Sequence, residues 1–107
     1  MRSVPERNWK LFRRLQAELL ATASDLVFKK VERLSQDRAG KEHQSYLDLY
    51  CLIKEEDEKI AQMFNNPTRN NVLFKIGFLK QYGILSDEQF QLFSEETQKR
   101  VTPYATE

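Results

Sequence analysis

This chain has no strand signal: nowhere do β-branched and polar residues alternate with the period of two that a sheet needs. Turn formers are scarce as well, with only three glycines and three prolines. The glycines at 40, 77 and 83 are too far apart to make a phosphate-cradling loop. No Gly-x-Ser-x-Gly elbow is present either, so the familiar hydrolase nucleophile is missing. Cys51 is the single cysteine, which excludes an intrachain disulfide and fits a reducing compartment. His43 is the single histidine, and without a cysteine pair the usual zinc and di-iron spacings are absent. No metal or cofactor is therefore expected. No apolar run approaches the roughly 18–20 residues of a membrane span. The formal net charge of +1 gives no global field to attract nucleic acid or anionic lipid.

What is present is helical. Apolar residues are 40% and charged residues 31% of the 107, a composition rich in helix formers. A chain of this length suits one domain with one modest core. Ser3 and Glu6 fit a capping box, and Pro5 suits the first turn. Apolar residues then recur at helical spacing: Trp9, Phe12, Leu15, Leu19, Leu20, Ala23, Leu26, Val27, Val31 and Leu34. The pattern predicts one helix from about Pro5 to about Ser35, roughly 45 Å long at 1.5 Å per residue. Thr22-Ala23-Ser24-Asp25 is its soft spot, where Ser24 or Asp25 offers a cap for a second piece. Residues 1–24 bear arginines but no secretory h-region. The alternative of a mitochondrial presequence is opposed by Glu6 and Glu18.

Residues 35–45 read as a polar connection around Gly40, overlapping a second helix from Glu42 to Phe64. Its stripe is Tyr46, Leu49, Tyr50, Ile53, Ile60 and Phe64, interrupted by Glu56 and Asp57. Asn65-Asn66-Pro67 ends it, because proline disfavours helical geometry in the preceding residue. Thr68 caps a third helix over 69–82, with Val72, Leu73, Phe74, Ile76, Phe78, Leu79 and Tyr82 placed almost all round it; such a helix belongs at the centre of a core. A fourth helix spans Ser86 to about Phe93, and Ser94-Glu95-Glu96-Thr97 starts a short last one ending near Val101. Residues 1–101 are thus read as one helical domain and 102–107 as a disordered tail.

Each chemistry-bearing group has a plainer role. Consecutive residues of a helix point apart, so Glu55-Glu56-Asp57-Glu58 does not converge on one ligand. If Glu56 or Asp57 is buried it needs a cation, for which Arg69 and Lys75 are candidates. Cys51 reads as a buried structural cysteine and His43 as solvent-facing. The four asparagines of 65–71 read as a capped turn. The functional lead is the first helix, where Arg7, Trp9, Lys10, Phe12, Arg13 and Arg14 mix cations with aromatics, as interface hot spots do.

The segment Leu79 to Phe90 is the most fully specified. Gly83 is placed to end a helix in left-handed geometry, with Ile84 contacting Leu79 across a Schellman motif. Ser86 and Gln89 form a capping box, Leu85 and Phe90 a hydrophobic staple. Leu79, Gly83, Ile84, Leu85, Ser86, Asp87, Glu88 and Phe90 resemble the helix–turn–helix of the short C-terminal (SHOCT) domain family. The likeness covers about fifteen residues, and Phe93-Ser94-Glu95-Glu96 departs from the lysines and leucines that follow in the family. It implies oligomerisation or an accessory role rather than catalysis.

These readings predict an all-α protein: a bundle of four to five helices with a long N-terminal helix and an apolar third helix at the core. A continuous first helix outruns its short neighbours and leaves apolar surface for a partner, most simply in a homodimer through helices 1 and 2. The expected function is a non-catalytic interaction or regulatory module in the cytoplasm that self-associates. The alternative is a nucleic-acid-associated protein using the basic face around Trp9, Arg13 and Arg14. An enzyme subunit lending acids from helix 2 is the third reading.

Overall fold

The structure is a computed structural model that describes residues 4–105. It is all-α, with no strand among those residues. The helices are α1 (Glu6–Gln36), α2 (Glu42–Phe64), α3 (Val72–Gln81), α4 (Asp87–Phe90) and α5 (Glu95–Ala105).

α1 passes through residues 22–25 without a break. The hydroxyls of Thr22 and Ser24 donate to the carbonyls of Glu18 and Leu20 at 3.1 and 2.9 Å, so they are used inside the helix instead of capping a new one. Asp25 pairs with Lys29 at the surface, 3.4 Å away. Ser3, and with it the expected Ser3–Glu6 box, lies outside the described residues. Pro5 sits one place before the first turn, at φ −57° and ψ 150°, and its carbonyl accepts the N–H groups of Asn8 and Trp9. The connection to α2 is the tight segment 37–41, with Gly40 in the left-handed region at φ +83°.

α2 stops at Phe64 because Asn65 is extended and Asn66 is left-handed at φ 51° before Pro67. Thr68 caps, but what it caps is a turn. Its Oγ1 accepts the Asn71 N–H at 3.1 Å while Asn71 Oδ1 accepts the Thr68 N–H at 2.8 Å. α3 therefore begins at Val72, later than the expected 69. The corner after α3 is built as its residues dictate. Gly83 has φ +75°, the Ile84 N–H reaches the Leu79 carbonyl at 2.9 Å, and the Gly83 N–H reaches Lys80 at 3.1 Å. Both hydrogen bonds of the Ser86–Gln89 capping box are present. α4 is a single turn ending at Phe90, shorter than the expected run to Phe93.

The C-terminus departs most from expectation. α5 continues past Val101 and through Pro103 to Ala105, so residues 102–105 are helix rather than tail. Proline removes one hydrogen bond, to the carbonyl four residues back. That carbonyl belongs to Lys99, an exposed residue whose carbonyl is open to solvent. Tyr104 compensates by packing its ring on Phe74 at 4.2 Å and by covering Gly77 of α3.

One core joins the first half of α1 (Leu11, Phe12, Leu15, Leu19, Ala23) to Met63 and Phe64, to α3, and to Phe90, Phe93 and Val101. Asn8 is buried beside it and ties α1 to the start of α5. Its Oδ1 accepts the Ser94 N–H and its Nδ2 donates to Ser94 Oγ, both at 3.0 Å; Ser94 Oγ in turn accepts the Thr97 N–H. Beyond Ala23 on α1, and before Met63 on α2, no apolar side chain is fully buried. The molecule is therefore a helical head with a two-helix arm. It measures 54 × 25 × 24 Å. Its radius of gyration is 16.3 Å, against about 13 Å for a compact chain of this size.

The α3–α5 contact sets a clear test. A Cβ added at Gly77 would lie 2.5 Å from Tyr104 Cβ and 3.0 Å from its backbone carbon. Gly77→Ala gains roughly 1 kcal/mol of helix propensity and loses about 1–3 kcal/mol to overpacking. Urea unfolding is expected to show net destabilisation; a more stable variant would mean that α5 does not press on α3.

Candidate functional site

The arm has two unlike sides. On one, Val31, Leu34 and Ser35 of α1 share a groove with Tyr46 and Leu49 of α2, with Arg38 and Glu42 at its tip end. Farther down the same side Ala17 and Leu20 adjoin Ile60 and Phe64. Helical spacing adds Ser24 and Phe28 to the α1 strip and Tyr50, Ile53 and Asp57 to the α2 strip. Phe28, Tyr46 and Tyr50 are 65, 65 and 66% exposed, and Leu20 and Ile53 are exposed too. The stripe read in the second helix is thus real but only its lower end, Ile60 and Phe64, meets the core. Phe28 was not among the expected stripe residues. Its signal is a second register, Leu20–Ser24–Phe28–Val31–Ser35, running beside the first.

The other side is charged. Lys30, Arg33, Asp37, Lys41 and Asp48 line it toward the tip. At the base of the arm Glu56 is buried, at 7% exposure, and pairs with Lys30 of α1 and with Lys59 one turn along α2. The expected partners, Arg69 and Lys75, are engaged elsewhere: Arg69 pairs with Glu6, and Lys75 Nζ donates to the Gln62 carbonyl at 2.8 Å. Asp57 is exposed. Burial pushes the Glu56 carboxyl up, and the two lysine hydrogen bonds outweigh it, holding its pKa below the ordinary carboxylate value. Burial alone lowers the pKa of the Lys75 ammonium.

The basic, aromatic start of α1 does not form one surface. Phe12 is wholly buried in the core and is closed to any partner. Trp9 is half-buried, with the guanidinium carbons of Arg13 and Arg69 5.7 and 5.9 Å from its ring centroid. Arg7, Lys10 and Arg14 share an open concavity with Leu92, whose carbonyl the Arg7 guanidinium approaches at 3.4 Å.

The remaining candidates resolve simply. Cys51 is exposed, not buried, because it points away from α1 on the outer surface of α2. His43 is exposed and stacks on Tyr46 with ring centroids 6.1 Å apart. No group of three or more His, Cys, Asp or Glu among the described residues is placed to hold a metal ion. The asparagine loop spends its polar groups on itself, the Asn71 amide donating to the Asn66 carbonyl at 3.0 Å. A cleft of about 70 Å³ lies where the arm meets the head, between Glu56, Met63 and Tyr82.

The Glu56 cluster makes stability depend on acid. Its carboxyl titrates below the ordinary value of 4.5, so its contribution is full above that pH and is lost as pH falls through the lower folded value. The two lysines are 42 and 44% exposed, and water screens them. Glu56→Gln is expected to cost about 1.5–2 kcal/mol at neutral pH, the low end for a hydrogen bond to a charged group. In denaturant titrations the gap to the unsubstituted chain should close on acidification; a gap independent of pH would refute the ion cluster as its cause.

Comparison of the whole chain with family models, with curated proteins and with solved structures finds no match.

Proposed function

We propose that this protein is a non-catalytic interaction module, regulatory rather than enzymatic, that docks through the arm formed by α1 and α2. The observation that carries this is the apolar strip of Phe28, Tyr46, Tyr50 and Ile53, which is exposed although the head's core is complete without it. Contiguous apolar surface of this kind marks docking sites on soluble proteins. Its aromatic content is that of interface hot spots. The resemblance of the Leu79–Phe90 corner to the SHOCT family leans the same way, toward assembly. A cytoplasmic setting accords with the free, exposed Cys51, and no helix among the described residues is long and apolar enough to cross a membrane.

The nucleic-acid reading rests on Arg7, Lys10 and Arg14 around one concavity. Trp9, however, is half-buried and already has two guanidinium groups 5.7 and 5.9 Å from its ring centroid, which compete with a base for stacking. Binding of generic DNA or RNA at low salt that weakens steeply as salt is added would favour this second reading; no binding at low salt removes it.

The docking reading predicts that the strip does no work for the fold. In dilute solution, Phe28→Ser and Tyr50→Ser should each change unfolding free energy by no more than about 0.5 kcal/mol. Phe12→Ala in the core should cost about 3–5 kcal/mol. If the strip variants lose stability on the scale of the core variant, the strip is core and the reading fails.

A further inference from the structure

We infer that the occupant of the strip is a second copy of this chain, the two arms stacking face to face as a four-helix bundle about a two-fold axis that runs along the arms. The inference rests on the docking reading above and adds the identity of the partner.

Three observations carry it. The first is area. Three aromatic rings stand two-thirds exposed, and each such side chain can bury about 150–250 Å². The rings alone thus offer about 300–500 Å² per copy, and Leu20, Ile53 and the half-buried Val31 and Leu49 bring the strip toward the ~800 Å² that each partner gives to a stable interface.

The second is shape. The α1 strip is notched, with Ser24 and Ser35 on either side of Phe28, whereas the α2 strip is bulky, with Tyr46, Leu49, Tyr50 and Ile53. Placing α1 of one copy over α2 of the other seats bulk in notches. The hairpin fixes the heights, since Val31 and Ser35 lie level with Leu49 and Tyr46, and Leu20 with Ile60. Ser35 then faces the partner's Tyr46, and Phe28 faces the partner's Ile53. The reverse stacking, α1 on α1 and α2 on α2, sets the two bulky α2 strips against each other. The Ser24 notch carries little desolvation cost, and at the Ser35 notch the Arg38 guanidinium stands at the open tip of the strip. The Ser24 hydroxyl already donates to the Leu20 carbonyl and Ser35 Oγ already accepts from Arg38.

The third is charge. Lys30, Arg33, Asp37, Lys41 and Asp48 line the opposite side of the arm, while on the strip side Arg38 and Glu42 stand at the tip and Arg13 at the base. Arms stacked in the chosen way have antiparallel helices as neighbours throughout, so their dipoles oppose favourably. Asp57 of one copy meets the partner's Ser24 rather than a like charge.

The experiment is light scattering on the full chain over a range of concentrations, with circular dichroism to confirm that each variant is folded. The mass is expected to rise from the 12.7 kDa of one chain to twice that value. Phe28→Glu and Tyr50→Glu should each weaken association at least tenfold, while Lys41→Glu on the charged side should leave it unchanged. In a Cys51→Ser background, oxidising a mixture of Ser35→Cys and Tyr46→Cys chains should give a disulfide-linked pair. A monomer at every concentration, or a dimer indifferent to Phe28→Glu and Tyr50→Glu, overturns the proposal. A Ser24→Cys chain that cross-links to itself more readily than that mixture overturns the stacking. None of these outcomes bears on the dilute-solution stabilities of the strip variants, so the second copy can fail while the docking reading stands.

Discussion

The structure depends on a mismatch of lengths. α1 is an unbroken helix of 31 residues, about 46 Å at 1.5 Å per residue. Its short neighbours, α3 and α5, have 10 and 11 residues, roughly 15 Å each. They cover one end of α1 and no more. α2 follows α1 along its outer part, but a second helix can shield only the side that faces it. Every apolar residue on the remaining sides of the arm must meet water or a partner. Continuity through Thr22 and Ser24 is therefore decisive. Had Ser24 capped a new helix, the second piece could have folded back on the head and buried Phe28 there.

Polar contacts fix how arm and head are joined. Glu56 sits where α2 passes from arm to head, and its two oxygens are taken by Lys30 and Lys59. A carboxylate left alone there would be costly, so the cluster holds the angle between α1 and α2 at the point where apolar packing thins out. At the other end Asn8 serves both the N–H and the hydroxyl of Ser94. It thereby orients α5, whose Tyr104 closes over Gly77. Hydrophobic burial supplies the drive to form the head, but it is not directional; these two polar contacts supply direction.

Local rules made much of the fold legible. The Gly83–Phe90 corner was fully readable because each of its residues acts on neighbours within about five positions, through caps and left-handed geometry. The bounds of α2 and the central place of α3 followed from periodicity. What escaped depends on contacts distant in sequence. Pro103 reads as a helix breaker until Tyr104 is known to pack on Gly77 and Phe74. Cys51 reads as buried because its neighbours are apolar, yet α2 has a partner on only one side at that height. The cation for Glu56 lay 26 positions away on α1, and sequence offered Arg69 and Lys75 with equal plausibility. The apolar stripe of α2 was visible, but its direction, toward the head or away from it, was not.

That last ambiguity bears on function. A stripe at helical spacing signals that a face will be covered, and it is silent on whether the cover comes from the same chain. The answer lies in comparing the length of each helix with what can reach it. Here Ile60 and Phe64 are covered by the head, while Phe28, Tyr46, Tyr50 and Ile53 lie beyond its reach. On the docking reading, stability and docking fall on different stretches of the same two helices. The head tolerates little change in volume, since its core side chains are closely packed. The outer strip is free of that constraint. A helix longer than its own core has cover for is a costly element in a chain of this size, because its exposed rings invite aggregation. The charged opposite side limits that hazard to one face, and the proposed second copy would remove it by covering the strip.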